Sequence, residues 1–477
     1  GRMLPITINS KTNNSTPYPG VLIFPQSDNE ELLAKALKCR ESGNKGVEYN
    51  TKLVSFEKKE GYIEAKLQDT KTMKDSVVRT KYIVGTDGAH SVVRHELKLP
   101  FYGKKYEEEF VLVDCEVESD DDPQHPFHKE TNAFTYLHDQ LFVKFPYGDG
   151  TYRIMLTRPK EQEGTDCTLN QVQKIADSVL PVKVTLKNPT WISVFRLHSR
   201  AVDKYGDDER VFLAGDAAHI HSPVGGQGMN TGIQDAYNLG WKLAMVIKNQ
   251  ASKKLLKTYN EERHPVGAQL IQTTDRWFTA MASQGWAFDL LKTILFSGFG
   301  KAFIAPLLGT EMPKQVSMLK VAYPKSSLCM SVLSPYTLGK PSLSAGQRFP
   351  YLKGLKVKGG NSVSTHDILR GTHFSFFFIA SKEKDLDQVT DTISVLNPLV
   401  EGGPGVAMSL LLLMDKLTPP SFSTEQLKSY EVEDKEAFKR NFGITSGCVL
   451  VRPDGYVGYI EASGQKSKLA AYIKLYQ

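Results

Sequence analysis

The sequence predicts an α/β fold of about three domains, and three observations carry that reading. Residues 210–230 read as a buried strand, then a glycine-rich loop, then the start of a long apolar helix. Residues 47–80 and 101–156 alternate apolar and polar side chains, as strands with one buried face do. A loop-like stretch near 338–350, with Gly339, Pro341, Gly346 and Pro350, separates these from a region with its own strong strand at 374–380.

Taken in order, residues 1–20 are polar and turn-rich and read as a loop. Residues 21–25 read as a short strand, and 30–39 have helical periodicity, with Gln26 just ahead of them. Residues 47–80 form a predicted meander that turns at Glu60-Gly61 and Asp69-Thr70. A strand at 81–84 runs into Gly85-Thr86-Asp87-Gly88-Ala89-His90-Ser91-Val92-Val93-Arg94. Asp87 stands at the strand end, and Ser91 can cap a short helix. Alone, an Asp-Gly pair is a common turn. Further strand-like segments follow at 110–117, 134–136, 140–145 and 152–156, interrupted by an acidic loop at 119–122. Tyr147 lies in Tyr-Gly-Asp-Gly and reads first as a turn residue, second as a substrate-facing phenol. A helix is expected at 169–180 and a strand at 191–195, leading to Arg196.

Next comes the stretch on which the rest is organised. Residues 210–214 are rich in β-formers, and the Asp216 carboxylate sits where that strand ends. The missing Cβ atoms of Gly225, Gly226 and Gly228 let backbone approach a flat ligand. Free N–H groups at the start of the following helix stabilise negative charge on such a ligand. His219 and His221 form an H-x-H pair, but no third or fourth ligand stands nearby, so no metal is expected. Residues 259–265, Tyr-Asn-Glu-Glu-Arg-His-Pro, read as the end of one helix and the start of another, with a structural ion pair. Residues 405–414 are mostly apolar, and 448–451 lead into Arg452-Pro453-Asp454-Gly455-Tyr456, a hairpin by its Asp-Gly signal.

Residues 215–230, with Gly-Asp-Ala-Ala-His, then Pro223, the glycines and Gly228-Met229-Asn230, resemble the second flavin-binding motif of the class A FAD-dependent aromatic hydroxylases. That family includes p-hydroxybenzoate hydroxylase and phenol hydroxylase. Residues 87–94 resemble its Asp-Gly-x-x-Ser-x-x-Arg motif, 259–265 its Tyr-x-x-Glu-Arg-x-Pro, and 452–456 the C-terminal domain of the phenol hydroxylase branch. The resemblance covers essentially the whole chain. It implies an α/β FAD-binding domain of the glutathione-reductase type, an interleaved β-sheet substrate domain and a thioredoxin-like C-terminal domain. The expected division is 1–98 and 201–338 for the FAD-binding parts, 99–200 for the substrate sheet and 339–477 for the C-terminal domain.

The resemblance also implies roles. Gln26 approaches the flavin side of FAD, and Asp87 and Gly88 lie near its pyrophosphate. Gly215 and Asp216 meet the ribityl hydroxyls, while Gly226, Gln227, Gly228, Met229 and Asn230 face the pyrimidine edge of the ring. Pro223 walls the reactive flavin carbon and, with Tyr147, is the candidate for a place in catalysis. His90 and Arg196 are candidates for NADPH or NADH. The implied reaction is reduction of FAD by NAD(P)H, formation of a C4a-hydroperoxide with O2, and transfer of its terminal oxygen to a phenolic ring. A cytoplasmic homodimer is implied as well. The opening G-x-G-x-x-G of a dinucleotide fold is absent, and the pattern around Gly226 and Gly403 breaks at the last glycine, so an opening βαβ unit is expected to be missing from the chain. No catalytic base is therefore named. The alternative is a truncated or non-catalytic relative acting as a scaffold. A flavin oxidase or halogenase is disfavoured by the lack of a W-x-W-x-I segment.

Composition narrows the classes further. The net charge of +6 over 477 residues is small and unclustered, which argues against nucleic acid as a partner. Five widely spaced cysteines without C-x-x-C read as reduced thiols and leave the C-terminal domain a structural or dimerisation role. The longest apolar region, 286–308, is broken by Asp289, Lys292, Lys301 and Pro306, too often for a membrane span.

Overall fold

A computed structural model describes residues 2–5, 16–18, 22, 24–39, 46–119, 134–137, 141–148, 150–164, 167–180, 182–221, 226–282, 317–332, 343–357, 360–400, 405–412, 427–462 and 466–476. Within them the chain builds four sheets.

The meander predicted at 47–80 is a three-stranded antiparallel sheet of β2 (Thr51–Lys58), β3 (Ile63–Asp69) and β4 (Asp75–Thr80). Gly61 takes a φ of +85° in the first turn, and the Asp69 carboxylate accepts the N–H groups of Lys71 and Thr72 in the second. Before the meander, α1 (Gln26–Cys39) begins at Gln26 itself and leaves Leu32, Leu33 and Leu37 exposed. The described residues of 21–25 form no strand. After it, β5 (Ile83–Gly85) and α2 (Val92–Glu96) follow directly.

The central sheet has the order β1-β7-β8-β9-β6-β10-β12. Its spine is the antiparallel pair of two 17-residue strands, β6 (Tyr102–Glu118) and β10 (Thr185–Ala201). β7 (Phe134–Leu137), β8 (Leu141–Gly148) and β9 (Thr151–Thr157) extend it on one side. One face is covered by α3 (Leu169–Val179), whose Val172, Ile175, Ala176 and Val179 recur at helical spacing against Val111, Val113, Phe142, Ile154 and Leu156. Each such buried aliphatic side chain contributes roughly 1.5–3 kcal/mol. The sheet reaches beyond 99–200 at both ends. β1 (Arg2–Pro5) pairs with β7 inside the stretch expected to be loop, and β12 (His219–Ile220) pairs with the end of β10. Both additions are pairings with distant strands, which local periodicity does not report.

A two-stranded parallel sheet joins β5 to β11 (Val211–Leu213). α4 (Gly228–Ile247) and α5 (Lys257–Ala282) pack beside it. Residues 259–265 do not divide two helices. They lie inside α5 with Pro265, whose missing N–H leaves a gap in the hydrogen-bond ladder. Buried side-chain bonds in the turns before Pro265 tie the helix to its neighbours: Tyr259 OH donates to Leu213 O at 2.7 Å, Glu262 pairs with Lys242 and Arg452, and Arg263 pairs with Asp235.

The C-terminal region forms an eight-stranded mixed sheet, ordered β13-β20-β19-β16-β17-β18-β14-β15. Its strands are β13 (Met330–Val332), β14 (Leu355–Val357), β15 (Ser362–Val363), β16 (Phe374–Ala380), β17 (Val406–Leu412), β18 (Leu427–Val432), β19 (Gly447–Val451) and β20 (Val457–Glu461). β16 is buried along its whole length, and its run, apolar except at Ser375, suits a central strand covered on both faces. The edge strand β13 comes from before the loop-like stretch at 338–350. One apolar core runs from β11 and α4 into this sheet: Trp241 meets the rings of Phe374 and Tyr476 at 6.0 and 6.5 Å.

Candidate active site

The two motifs that lie far apart in sequence leave the carboxyl ends of neighbouring parallel strands. β5 and β11 pair Leu213 with Gly85, and the Ala214 N–H donates to Gly85 O at 3.0 Å. Asp87 and Asp216 then follow within a few residues, on the side of an open sheet where ligands bind. Arg94 stitches the loops together. Buried at 3% exposure, its guanidinium donates to Ala89 O at 2.7 Å and to Ala217 O at 3.0 Å, and lies 4.0 Å from the centroid of Phe101.

The two carboxylates are held very differently. Asp87 caps α2. Its oxygens accept from the Ser91 hydroxyl at 2.5 Å and from the Val92 and Val93 N–H groups at 2.7 and 3.2 Å. Ser91 in turn accepts the Arg94 N–H at 3.0 Å, which makes it the cap the sequence suggested. The consequence is a fixed Gly88 turn, with Gly88 at φ +76°. Asp216 is exposed and makes no hydrogen bond among the described residues. It is therefore free to accept from ligand hydroxyls.

Behind Asp216 lies the start of α4. Gly215, at φ +62°, touches Gly232 so closely that a Cβ on Gly232 would stand 3.2 Å from the Gly215 Cα. Gly226 is at φ +61° with open space beside it. The first helical amide with a backbone partner is Thr231, which donates to Gln227 O at 2.9 Å. The amides of Gly228, Met229 and Asn230 thus form the positive end of a 20-residue helix whose cap residue, Gln227, makes no side-chain cap bond. Asn230 Nδ2 reaches Gly226 O at 3.4 Å. Gln26 donates its Nε2 to Glu30 Oε1 at 2.8 Å, while Asn29, in the first turn of α1, lies 3.9 Å from the Met229 sulfur. The left-handed glycines, the first-turn amides of Gly228, Met229 and Asn230, which have no backbone partner among the described residues, and the exposed Asp216 carboxylate fit a flat, anionic, hydroxyl-bearing ligand.

A buried polar stripe, outside the motifs that stand out in the sequence, runs along α4. Thr231, Asp235, Asn238 and Lys242 recur at steps of four, three and four, and each is at most 2% exposed. Asp235 accepts from Gly215 N–H at 3.0 Å, His219 Nε2 at 2.7 Å and Arg263 Nε at 2.7 Å. Burial works against its charge, but Arg263 and His219 outweigh that and hold its carboxyl below the ordinary range. Glu262 accepts from Lys242, Asn238, Ser326 and both Nη atoms of Arg452. Burial opposes its charge as well, and Arg452 and Lys242 more than compensate. Arg452 also binds Asp454, so the Arg-Pro-Asp-Gly-Tyr hairpin is anchored on α4 and α5. A polar residue every three or four positions in an otherwise apolar helix was the signal that could have revealed this stripe.

The remaining candidates are placed as follows. Pro223, with 222–225, lies outside the described residues. His90 is exposed beside Gly88. Arg196 donates to Glu163 at 3.0 Å and lies 3.6 Å from Glu109, both of which occupy it. Arg200 is the strand arginine next to the site, since it pairs in register with Ile220 of β12. Tyr147 lies toward the other end of the central sheet. Its ring covers Arg153, which is held by Asp114 and also faces Trp191. Trp191 is ten residues (201 − 191) before Ala201, the partner of His219, or roughly 33 Å of strand at about 3.3 Å per residue. Tyr147 and Asp216 thus belong to separate regions, because a bend at residues 146–148 and a long strand carry the tyrosine away. Burial first, and nearby Asp114 after it, push its phenol up to about 12. His219 is committed to Asp235, and no group of three potential ligands stands together among the described residues.

Comparison with known proteins agrees with this geometry. Residues 6–274 match the FAD binding domain family. The chain is 30% identical over 450 residues to a flavin-dependent monooxygenase of Mycobacteroides abscessus, covering 94% of this chain and 77% of that protein. It is 35% identical over 477 residues to the 6-methylpretetramide 4-monooxygenase of Streptomyces rimosus, covering 95% of this chain and 75% of that one. Pentachlorophenol 4-monooxygenase of Sphingobium chlorophenolicum is 33% identical over 270 residues, 54% of this chain and 46% of that one. Among solved structures, aklavinone-11 hydroxylase, as a ternary complex with FAD and aklavinone, shares the fold with a TM-score of 0.69 at 24% identity, covering 98% of this chain and 80% of that one. No helix among the described residues is long and apolar enough to cross a membrane. The chain belongs to the class A aromatic hydroxylases, the FAD-dependent aromatic monooxygenases.

Proposed function

We propose that this enzyme hydroxylates a phenolic aromatic substrate with NAD(P)H and O2. The observation that carries the reading is the Arg94 bridge from Ala89 O to Ala217 O, which brings both motifs to one strand end. The overall balance is substrate, O2, NAD(P)H and a proton in; hydroxylated product, NAD(P)+ and water out. Bound FAD supplies the electron transfer and the activation of dioxygen.

The chain's own residues bind and orient. Asp216 accepts from the ribityl hydroxyls, a charge-assisted bond worth about 1.5–3 kcal/mol. The first-turn amides of α4 stabilise negative charge at the pyrimidine edge. Asp87 acts on the pyrophosphate side by fixing the Gly88 turn. Gln26 keeps its proposed place on the flavin side at the start of α1, the helix whose Asn29 touches Met229. Arg200 offers positive charge to the nicotinamide nucleotide's phosphates, and His90 offers a ring nitrogen: burial lowers the His198 pKa, and Arg200, Lys105 and His90 beside it add to that. Arg200 fits this role better than Arg196, which Glu163 and Glu109 occupy. Pro223 keeps its proposed place beside the reactive ring, and Tyr147 is left a distal contact at most.

The C-terminal sheet, with no C-x-x-C in the chain, fits a thioredoxin-like domain in a structural or dimerising role. An interleaved division, with β1 and β12 joining the substrate sheet and β13 the C-terminal domain, and a homodimer in the cytoplasm, complete the reading. The scaffold alternative is not favoured, since the relatives above carry monooxygenase names. The test is direct. With FAD bound, NADPH or NADH oxidation is expected to accelerate on adding a phenol, with one oxygen atom gained by the product in mass spectrometry. A flavin-loaded protein that oxidises neither nucleotide faster with any phenol of a varied panel refutes the proposal.

A further inference from the structure

We propose that Asp235 is a positioning residue for the flavin, setting the shape of the Gly215–His219 turn that carries Asp216. The proposal rests on the assignment of that turn to the FAD site. One oxygen, Oδ2, accepts from Gly215 N–H at 3.0 Å and from His219 Nε2 at 2.7 Å. These donors are the first and last residues of the turn, so a single atom gathers both of its ends. The other oxygen accepts from Arg263 Nε at 2.7 Å. Arg263 cannot swing away, because its remaining nitrogens reach Tyr323 OH at 3.0 Å, Thr231 O at 3.3 Å and Gln234 Oε1 at 3.3 Å. All three side chains of the chain His219, Asp235 and Arg263 are buried to 1% exposure or less.

Asp216 itself has no tether among the described residues. Its direction is therefore inherited from the backbone of 215–219, and that backbone is set by Asp235. The positive φ of Gly215 and its contact with Gly232 allow the turn to lie flat on α4, but neither contact is directional. The directional constraint is the carboxylate. A buried ion pair placed only for stability would have no reason to bond both ends of the ligand-bearing turn.

The experiment compares Asp235→Asn with Lys242→Met. Lys242 lies two turns further along the same stripe and touches Glu262 and Asn238, not the turn. Amide hydrogen exchange of the 214–219 segment in FAD-free protein reads the turn directly. FAD titration, followed by flavin fluorescence, and the visible circular dichroism of bound flavin read the consequence. Asp235→Asn is expected to speed exchange of that segment at least tenfold, to raise the FAD Kd at least tenfold and to alter the flavin dichroism. Lys242→Met is expected to lower the melting temperature and change none of the three. Should Asp235→Asn fail to fold, His219→Phe frees one end of the turn and carries the same comparison. Unchanged exchange at 214–219 overturns the proposal, and so does an equal effect of Lys242→Met. Loss of FAD binding by the unaltered chain, with exchange still responding to Asp235→Asn, counts against the site assignment and not against the turn.

Discussion

Replacing Arg452 by Met should destabilise the junction between the C-terminal sheet and α4/α5 far more than an ordinary surface change. The guanidinium makes two bonds to Glu262 and two to Asp454, and all of these side chains are at most 2% exposed. Lys242, Arg452, Glu262 and Asp454 together are neutral. Without Arg452 the cluster keeps one uncompensated negative charge in a dry environment. Breaking a buried pair on one side costs about 3–5 kcal/mol. Arg452→Met with Asp454→Asn returns the cluster to neutrality, leaving Lys242 opposite Glu262 and an amide oxygen for the Trp241 N–H, which now donates to Asp454 at 3.1 Å. The double variant should therefore recover about 1–3 kcal/mol of the loss, the size of coupling expected between side chains in contact. Urea unfolding at pH 7, followed by tryptophan fluorescence, measures both, since Trp241 lies against the cluster. A single variant costing under about 1 kcal/mol, or a double variant no more stable than the single, refutes the reasoning.

Three further outcomes are expected. Asp216→Asn should weaken FAD binding about tenfold or more, from a charge-assisted bond of about 1.5–3 kcal/mol, without moving the melting temperature of the FAD-free protein; Asp87→Asn should lower that temperature, since it loosens a helix cap worth about 1 kcal/mol. Calorimetry with and without FAD separates the two. Gly267→Ala should cost about 1–3 kcal/mol, because its Cβ would stand 2.1 Å from the Tyr205 hydroxyl; Tyr205→Phe should relieve most of that, and no relief in a double-variant melt would count against the packing. Burial lowers the Lys144 pKa from 10.5 to about 8, so between those values the unfolded chain binds the extra proton and stability rises with pH. Any advantage of Lys144→Met over the unaltered protein should accordingly fall by about 3 kcal/mol between pH 8 and pH 10.5. An advantage independent of pH would remove burial of the lysine charge as its cause.

Much of the fold was legible because the relevant physics is local. Ser91 reads as a cap, residues 47–80 as a meander, and 374–380 as a strong strand, each from a handful of neighbouring side chains. Residues 87–94 and 210–230 could be recognised for the same reason: glycine and aspartate at strand ends limit what the backbone does next. The ion pair expected at 259–265 was legible as charge, but its partners were not, since Glu262 and Arg452 are 190 residues apart.

The sequence by itself determined the α/β class, the two strand-end motifs and the kind of ligand they suit, because turn geometry and periodicity are written in adjacent residues. Only the tertiary structure decided that Arg94 joins those motifs, that Asp87 is spent on a helix end while Asp216 stays open, and that Arg200 pairs in register with Ile220 while Arg196 meets Glu163 and Glu109. It also carried Tyr147 along the long strands, away from Asp216. The physical reason is one of range. Propensity and capping act over a few residues, whereas strand pairing and buried charge neutralisation are satisfied by whichever distant segment the fold brings near.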